Sequence, residues 1–492
     1  MLPLLLAGAL SAAALPPIHA IPVLLISIPV LLRALARQPT LRSAGWAGFC
    51  FGFGHHVVGL YWITEAILIE SARFWWLVPL AVPALATVLA AFAAAAAAVA
   101  WLAPAGVRRV LALAGAWVMT DLARQFIASG FPWNPWGSVW EIPGVVGDVF
   151  IQPAAWVGVH GLTLATLLLA SAPVLGRLAW MAATGLVIAV AGFGLWRLQT
   201  PEPVPPGLAV VIVQGNVPQG QKWDRALVDT TFRRYLTLTA DATAPLAGHR
   251  HVVIWPETAS PFLLAVDPDA RAAIADAATG PALVGSVRFD SARRPLNSLM
   301  AIQSAEPPAA LYDKWHLVPF GEYQPDWFPL PIQVVPGGGF SRGPGPATLH
   351  IPGVPAVGPL ICYETIFPAQ VVDAADRPAW LVNVTNDAWF GNSSGPRQHL
   401  AAARMRAVEE GLPLMRAANT GISAGFDAYG RELGRLGMRQ TGALVLDLPG
   451  ALKPTTFARA GLWIPFILAV VVLALGLASR VVGQISASKS GS

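Results

Sequence analysis

Cysteine is nearly absent. The 492 residues hold only Cys50, in an apolar run, and Cys362, in the more polar half. Two thiols so far apart make neither a disulfide framework nor a CxxC metal pair. His316 and His399 lack metal-ligand spacing and read as satisfied structural histidines, so no metal and no cofactor is expected. Charge is scarce too: Asp, Glu, Lys and Arg are 12% of the chain, about half the share of a soluble domain. The net charge of +5 comes without a dense Lys/Arg block or an aromatic-basic ladder, which excludes nucleic acid as a partner. There is no nucleotide motif. There is also no internal repeat, against a transporter built from inverted halves.

What is present in excess is apolar. At 55% hydrophobic the chain reads as a membrane protein. Residues 1–198 form an expected N-terminal membrane domain of about seven transmembrane helices, near 2–14, 20–36, 44–64, 75–103, 107–127, 153–175 and 178–197. The first is shorter than the roughly 20 residues that cross a hydrocarbon core. Residues 1–20 are alternatively a cleaved leader, but they lack the Lys or Arg of its charged end. Arg33, Arg37 and Arg42, then Arg108 and Arg109, then Arg177 mark alternate loops as cytoplasmic by the positive-inside rule. The Trp-rich FPWNPWGSVWEIPG (Phe131 to Gly144) suits the opposite interface. Asp121 and Arg124, three apart on one helical face, are placed to pair.

Pro201 to Gly207 reads as a stiff linker, and 207–455 as a water-soluble α/β domain. β runs are expected at 208–213, 251–255, 282–287, 298–303, 356–361, 380–385 and 443–447, with a helix over 397–418. A final helix over 460–482 returns the chain to the cytoplasm, putting both termini inside and the α/β domain on the far side.

Three stretches of that domain put a reactive side chain at the end of an apolar strand: HVVIWPE ends in Glu257, LYDKWHLVPFGE carries Lys314 and Glu322, and VGPLICYETIF carries Cys362. Glu, Lys and Cys in this order are the pattern of the nitrilase superfamily. The chemistry explains the three residue types. A thiol is mostly neutral at pH 7 and needs a base, the expected role of Glu257. Attack of Cys362 on an acyl carbonyl creates an oxyanion, which the Lys314 ammonium would stabilise. Glu322 and Glu364 would hold Lys314 and assist the second proton transfer.

Closer still, the chain resembles the bacterial apolipoprotein N-acyltransferase family over nearly its whole length. The motifs that carry the likeness are FPW at Phe131, QGNVPQGQKWD at Gln214, WPET at Trp255 and KWHLVPFGEY at Lys314. With them stand FSRGP at Phe340, ICYE at Ile361, NDAWFG at Asn386 and GPRQHLAAARMRA at Gly395. Arg397 departs from the Trp common before the family's Gln-His pair. The resemblance implies a multi-span α-helical membrane domain plus a periplasmic αββα sandwich in the bacterial inner membrane. It implies an acyl chain taken from a phospholipid onto Cys362 and passed to the N-terminal amine of a diacylated apolipoprotein. Glu257, Lys314 and Cys362 match the family's triad, Glu322, Tyr363 and Glu364 its supporting residues, and Trp223 an aromatic of substrate binding. Arg342 is a candidate for a lipid phosphate, and the Gly- and Pro-rich stretch at 325–345 a candidate lid. The expected partners are the phospholipid donor, the apolipoprotein acceptor and the bilayer, with the enzyme a monomer. The alternatives are a membrane-anchored amidase of the same superfamily and a non-enzymatic scaffold.

Overall fold

The computed structural model describes residues 1–489 apart from 70, 202, 223 and 327–338, with 479–489 described in backbone only. The expected lid therefore lies largely outside the described residues, and Trp223 entirely so. The chain divides into two compact units, Met1–Thr64 with Phe74–Thr200 and Thr455–Ser492, and Glu65–Arg73 with Pro201–Pro454.

The first unit is helical. Among the described residues, Ser71–Trp101, Ala154–Val174 and Arg177–Leu198 are long and apolar enough to cross a bilayer, and Leu2–Ala14, Ile21–Ala36 and Trp463–Ala478 are shorter apolar helices. Leu178, Met181 and Ile188 are exposed along the third of these, as suits a helix in lipid. Lipid tails give apolar helices no drive to associate, so close packing must do it, and small residues permit the approach. Helix Leu41–Gly59 shows this on two faces. A Cβ added at Gly54 would sit 2.1 Å from the Leu5 carbonyl oxygen, and one at Gly52 would sit 2.5 Å from the Ala93 Cβ. Gly54→Val should therefore force the Leu2–Ser11 helix away, at a loss of about 1–3 kcal/mol or more. Gly185→Val, where a Cβ meets nothing within 4 Å, should leave the melting temperature unchanged; equal melting of the two variants would refute the packing argument.

Asp121 and Arg124 pair as expected, at 3.2 Å. The Trp-rich stretch, by contrast, does not merely line an interface. Trp133 and Trp136 are buried, Trp136 lying against the rings of Phe51, His55 and Trp117. Those partners come from two distant helices, which no local pattern reveals.

The second unit is a sandwich of two six-stranded sheets. Its strands are β1 Ala209–Gln214, β2 His251–Ile254, β3 Ala282–Phe289, β4 Pro295–Ile302, β5 Ala310–Asp313, β6 Leu349–Ile351, β7 Val354–Ile361, β8 Trp380–Thr385, β9 Leu414–Ala418, β10 Ser423–Phe426, β11 Glu432–Leu436 and β12 Gly442–Asp447. One sheet runs β12-β1-β2-β3-β4-β5, the other β11-β10-β9-β8-β7-β6. Each has three parallel strands at its centre, β1–β3 and β7–β9, flanked by antiparallel ones. Strand side chains alternate in direction. Val210, Ile212, Ile254 and Leu283 thus meet Val357, Ile361, Val382 and Val384 between the sheets. Val211, Val213 and Trp255 face outward with Phe232, Tyr235 and Ile274 of helices Val228–Thr243 and Pro268–Ala278. Leu360 and Leu381 do the same with Leu400, Ala403 and Ala407 of helix Gly395–Glu410. This is the expected αββα sandwich.

One expected element is corrected. The helix over 397–418 stops at Glu410, and 414–418 is β9. Gly411 takes a left-handed φ of 67° at the helix end, a conformation glycine adopts without Cβ strain, and Pro413 breaks the helical pattern.

Candidate active site

The sheets place all three candidate residues at strand ends. Glu257 follows β2, in a turn that crosses β3 where Gly285 lies: a Cβ there would come 2.2 Å from the Pro256 carbonyl oxygen. Lys314 follows β5 directly, and the carboxylate before it, Asp313, is locked by Ser298 Oγ at 2.6 Å and the Arg288 guanidinium at 2.5 Å. Cys362 follows β7, with φ at +51°. A non-glycine residue held there costs on the order of 1–3 kcal/mol, so surrounding contacts must hold the thiol in that turn.

Lys314 is the hub. Its Nζ, buried to 1% exposure, donates to Glu257 Oε1 at 3.1 Å and to Glu322 Oε1 at 2.9 Å. Asn297 Nδ2, on β4, bridges the same two oxygens at 2.7 and 3.1 Å. The Asn386 backbone N–H donates to Glu257 Oε2 at 2.9 Å, and the Val318 N–H to Glu322 Oε2 at 2.8 Å. Glu364 is likewise saturated: Oε1 accepts from Tyr312 Oη and the Trp315 N–H, and Oε2 from the Ile361 N–H at 2.6 Å.

These contacts set the charges. Burial alone would raise the Glu257 carboxyl, but Lys314, then Lys222, then the Asn297 hydrogen bond outweigh it and hold it below the usual carboxylate range. Burial would lower Lys314, yet Glu257 and Glu322 keep it well above the usual ammonium range. Burial pushes the Cys362 thiol up, Glu257 adds to this, and Lys314 opposes it. The resting site thus holds a carboxylate, an ammonium and a neutral thiol. Burial also pushes Glu364 up to about 7, against its hydrogen-bond donors. Lys222 is brought down by burial to about 8.

The pair has a pH signature. A depressed carboxyl stabilises the fold above its unfolded pKa, near 4.3, and that contribution is lost as pH falls through the lower folded value. Raised Lys314 contributes below its unfolded pKa, near 10.4, and is lost only at higher pH. The wild type should therefore melt above Glu257→Gln between about pH 5 and 10, with the gap closing in acid. A gap independent of pH would contradict the assignment.

Of the other expected residues, Tyr363 is buried beside Phe367, and burial holds its phenol neutral. Arg342 lies over the Tyr323 ring, 4.9 Å from its centroid. His316 is satisfied by Gln370 Oε1 at 2.7 Å and stacks on Phe367. Asn297, Asn386 and Lys222, whose Nζ donates to the Glu257 carbonyl oxygen at 3.0 Å, were not singled out from sequence. Lys222 and Asn386 stand inside the quoted motifs, which was the available signal; Asn297 had none. Among the described residues no cluster of His, Cys, Asp and Glu is suited to a metal ion.

A sandwich of this topology, with Glu, Lys and Cys at its strand ends, is that of a carbon-nitrogen hydrolase of the nitrilase superfamily. The family described as Carbon-nitrogen hydrolase matches residues 247–454, and that described as Apolipoprotein N-acyltransferase N-terminal domain matches 7–172. An apolipoprotein N-acyltransferase from Rhodopseudomonas palustris is 38% identical over 93% of this chain and 91% of that one. One from Bradyrhizobium diazoefficiens is 39% identical over 92% and 90%. Among solved structures, an amidase from Nesterenkonia sp. is 20% identical with a TM-score of 0.38, covering 50% of this chain and 92% of that one. The chain belongs to the apolipoprotein N-acyltransferase family.

Proposed function

We propose that the protein moves an acyl chain from a phospholipid to the N-terminal amine of a diacylated apolipoprotein, through a thioester on Cys362. The observation that carries this is the buried Glu257–Lys314 pair with Glu322 at its edge, close enough to act electrostatically on a thiol in a strained turn, in a chain whose other half is apolar helices. Such a site suits acyl transfer, and the helices suit substrates whose tails stay in a bilayer.

In the first half-reaction Cys362 Sγ bonds to the ester carbonyl carbon. Because the resting thiol is neutral, its proton passes to Glu257 as the carbon–sulfur bond forms, and Lys314 faces the oxyanion. Collapse breaks the carbon–oxygen bond to glycerol, and Glu257 returns the proton to the leaving oxygen, giving a lysophospholipid. In the second, the acceptor's neutral amine attacks the thioester, the carbon–nitrogen bond forms, Glu257 takes the amine proton and passes it to the departing sulfur. Glu322 and Asn297 hold Lys314 and Glu257 in place. Trp223 and Arg342 are proposed to take part in substrate binding.

Family membership supports an inner-membrane location with the α/β unit (207–455) periplasmic, and the Arg distribution supports both termini cytoplasmic, with about seven spans within 1–198 and one over 460–482. The test supplies purified protein with phospholipid and a diacylglyceryl peptide. N-acylated peptide and lysophospholipid in equal amounts support transfer; free fatty acid with unmodified peptide would assign the amidase-type reaction with water instead.

A further inference from the structure

The Cys362 backbone is held at a φ of +51° by contacts to its carbonyl oxygen. The Cys362 carbonyl oxygen accepts two hydrogen bonds, from His399 Nε2 at 2.9 Å and Thr365 Oγ1 at 3.1 Å. A carbonyl only accepts, so His399 carries a proton on Nε2. His399 is fully buried on helix Gly395–Glu410. Its Nδ1 lies 3.0 Å from Asp387 Oδ1 and 3.2 Å from Arg416 Nη2, and Arg416 Nη2 also donates to Asp387 Oδ2 at 2.7 Å. Asp387 Oδ1 also accepts from Thr385 Oγ1 at 3.0 Å. A Cβ at Gly421 would come 2.2 Å from Asp387 Oδ2, so the backbone there closes tightly over the carboxylate. Asp387 thus fixes Arg416, and Arg416 Nη2 faces the His399 Nδ1 that lies opposite the bond to the Cys362 carbonyl.

We propose that His399, oriented by Asp387 and Arg416, is a positioning residue that clamps the Cys362 backbone in its left-handed turn and so aims the sulfur at the acyl carbonyl. It touches no substrate and exchanges no proton in the reaction. The inference rests on Cys362 being the nucleophile. It assigns a role to a histidine that composition and spacing leave as an ordinary core residue.

The experiment measures the single-turnover rate of Cys362 acylation by phospholipid in the full-length protein, with the phospholipid concentration for half-maximal rate and the melting temperature. His399→Ala should slow acylation at saturating phospholipid by about 10²-fold, the scale of a misplaced reacting group, with the half-saturating concentration unchanged. His399→Gln, which offers an N–H near the same place, should recover most of the rate. Unchanged acylation in both variants would overturn the clamp; so would equal slowing of both in step with a fall in melting temperature, the mark of a merely structural role. If His399→Ala does not fold, Thr365→Val removes the other bond to the same carbonyl and should slow acylation roughly tenfold; an unchanged rate there would also overturn it. Acyl transfer by a protein lacking the Cys362 thiol would instead sink the function proposed above, a separate result.

Discussion

Cys362→Ala is expected to abolish acyl transfer, by on the order of 10⁴-fold or more, in a protein that accumulates and melts like the wild type. The side chain is small and nearly buried, so losing its sulfur opens little space, and Ala occupies the left-handed turn no worse than Cys. The chemistry has no substitute. Glu257 and Lys314 remain, but without sulfur no covalent acyl intermediate forms. Cys362→Ser should also fail to transfer, because a hydroxyl gives its proton to a depressed carboxyl far less readily than a thiol. A scaffold or transporter would tolerate both changes. Activity assayed with a diacylated peptide, beside a melting curve, checks this.

Lys314→Met has the next largest expected effect, and on two quantities. Losing the cation facing the oxyanion should lower kcat by about 10²–10³. It also leaves buried Glu257 and part-buried Glu322, each about 3 Å from the lost ammonium, together without their counter-charge. Stripping one partner from such a cluster typically destabilises by about 3–5 kcal/mol. The Glu257 carboxyl would rise and hold a proton, removing the base as well. Lys314→Arg keeps the charge, but a planar fork does not fit a site built for a point donor to two single oxygens, so little activity should return. A Lys314→Met enzyme with wild-type kcat and melting temperature would show that the ammonium serves neither purpose.

The parts that were legible in sequence are those written in short local patterns. Apolar runs leading to Glu257 and Cys362 announced strands, and the structure puts β2 shortly before the first and β7 directly before the second. The apolar run at 208–213 announced a strand, and β1 is buried on both faces. What stayed hidden depends on distant partners. β5 and β6 have four and three residues, too short for a period, and β10 and β11 gain their identity only by pairing with neighbours. β9 continued a helical pattern because Arg416 looks like a solvent-facing residue; its guanidinium is in fact buried on Asp387 and Asn383. Asn297 is an unremarkable strand residue until β4 sets it against Glu257 and Glu322. His399 meets Cys362 only through the packing of helix Gly395–Glu410 beneath that turn.

The central claim is that one sulfur carries the acyl chain. Intact-protein mass spectrometry of the purified enzyme mixed with phospholipid, with no acceptor present, tests it most directly. The account predicts a mass increase of one acyl group, mapped to Cys362, removed by hydroxylamine and discharged by adding a diacylated peptide with a free N-terminal amine. Acyl transfer to that peptide without any adduct on Cys362, or an adduct that the amine does not discharge, would contradict it.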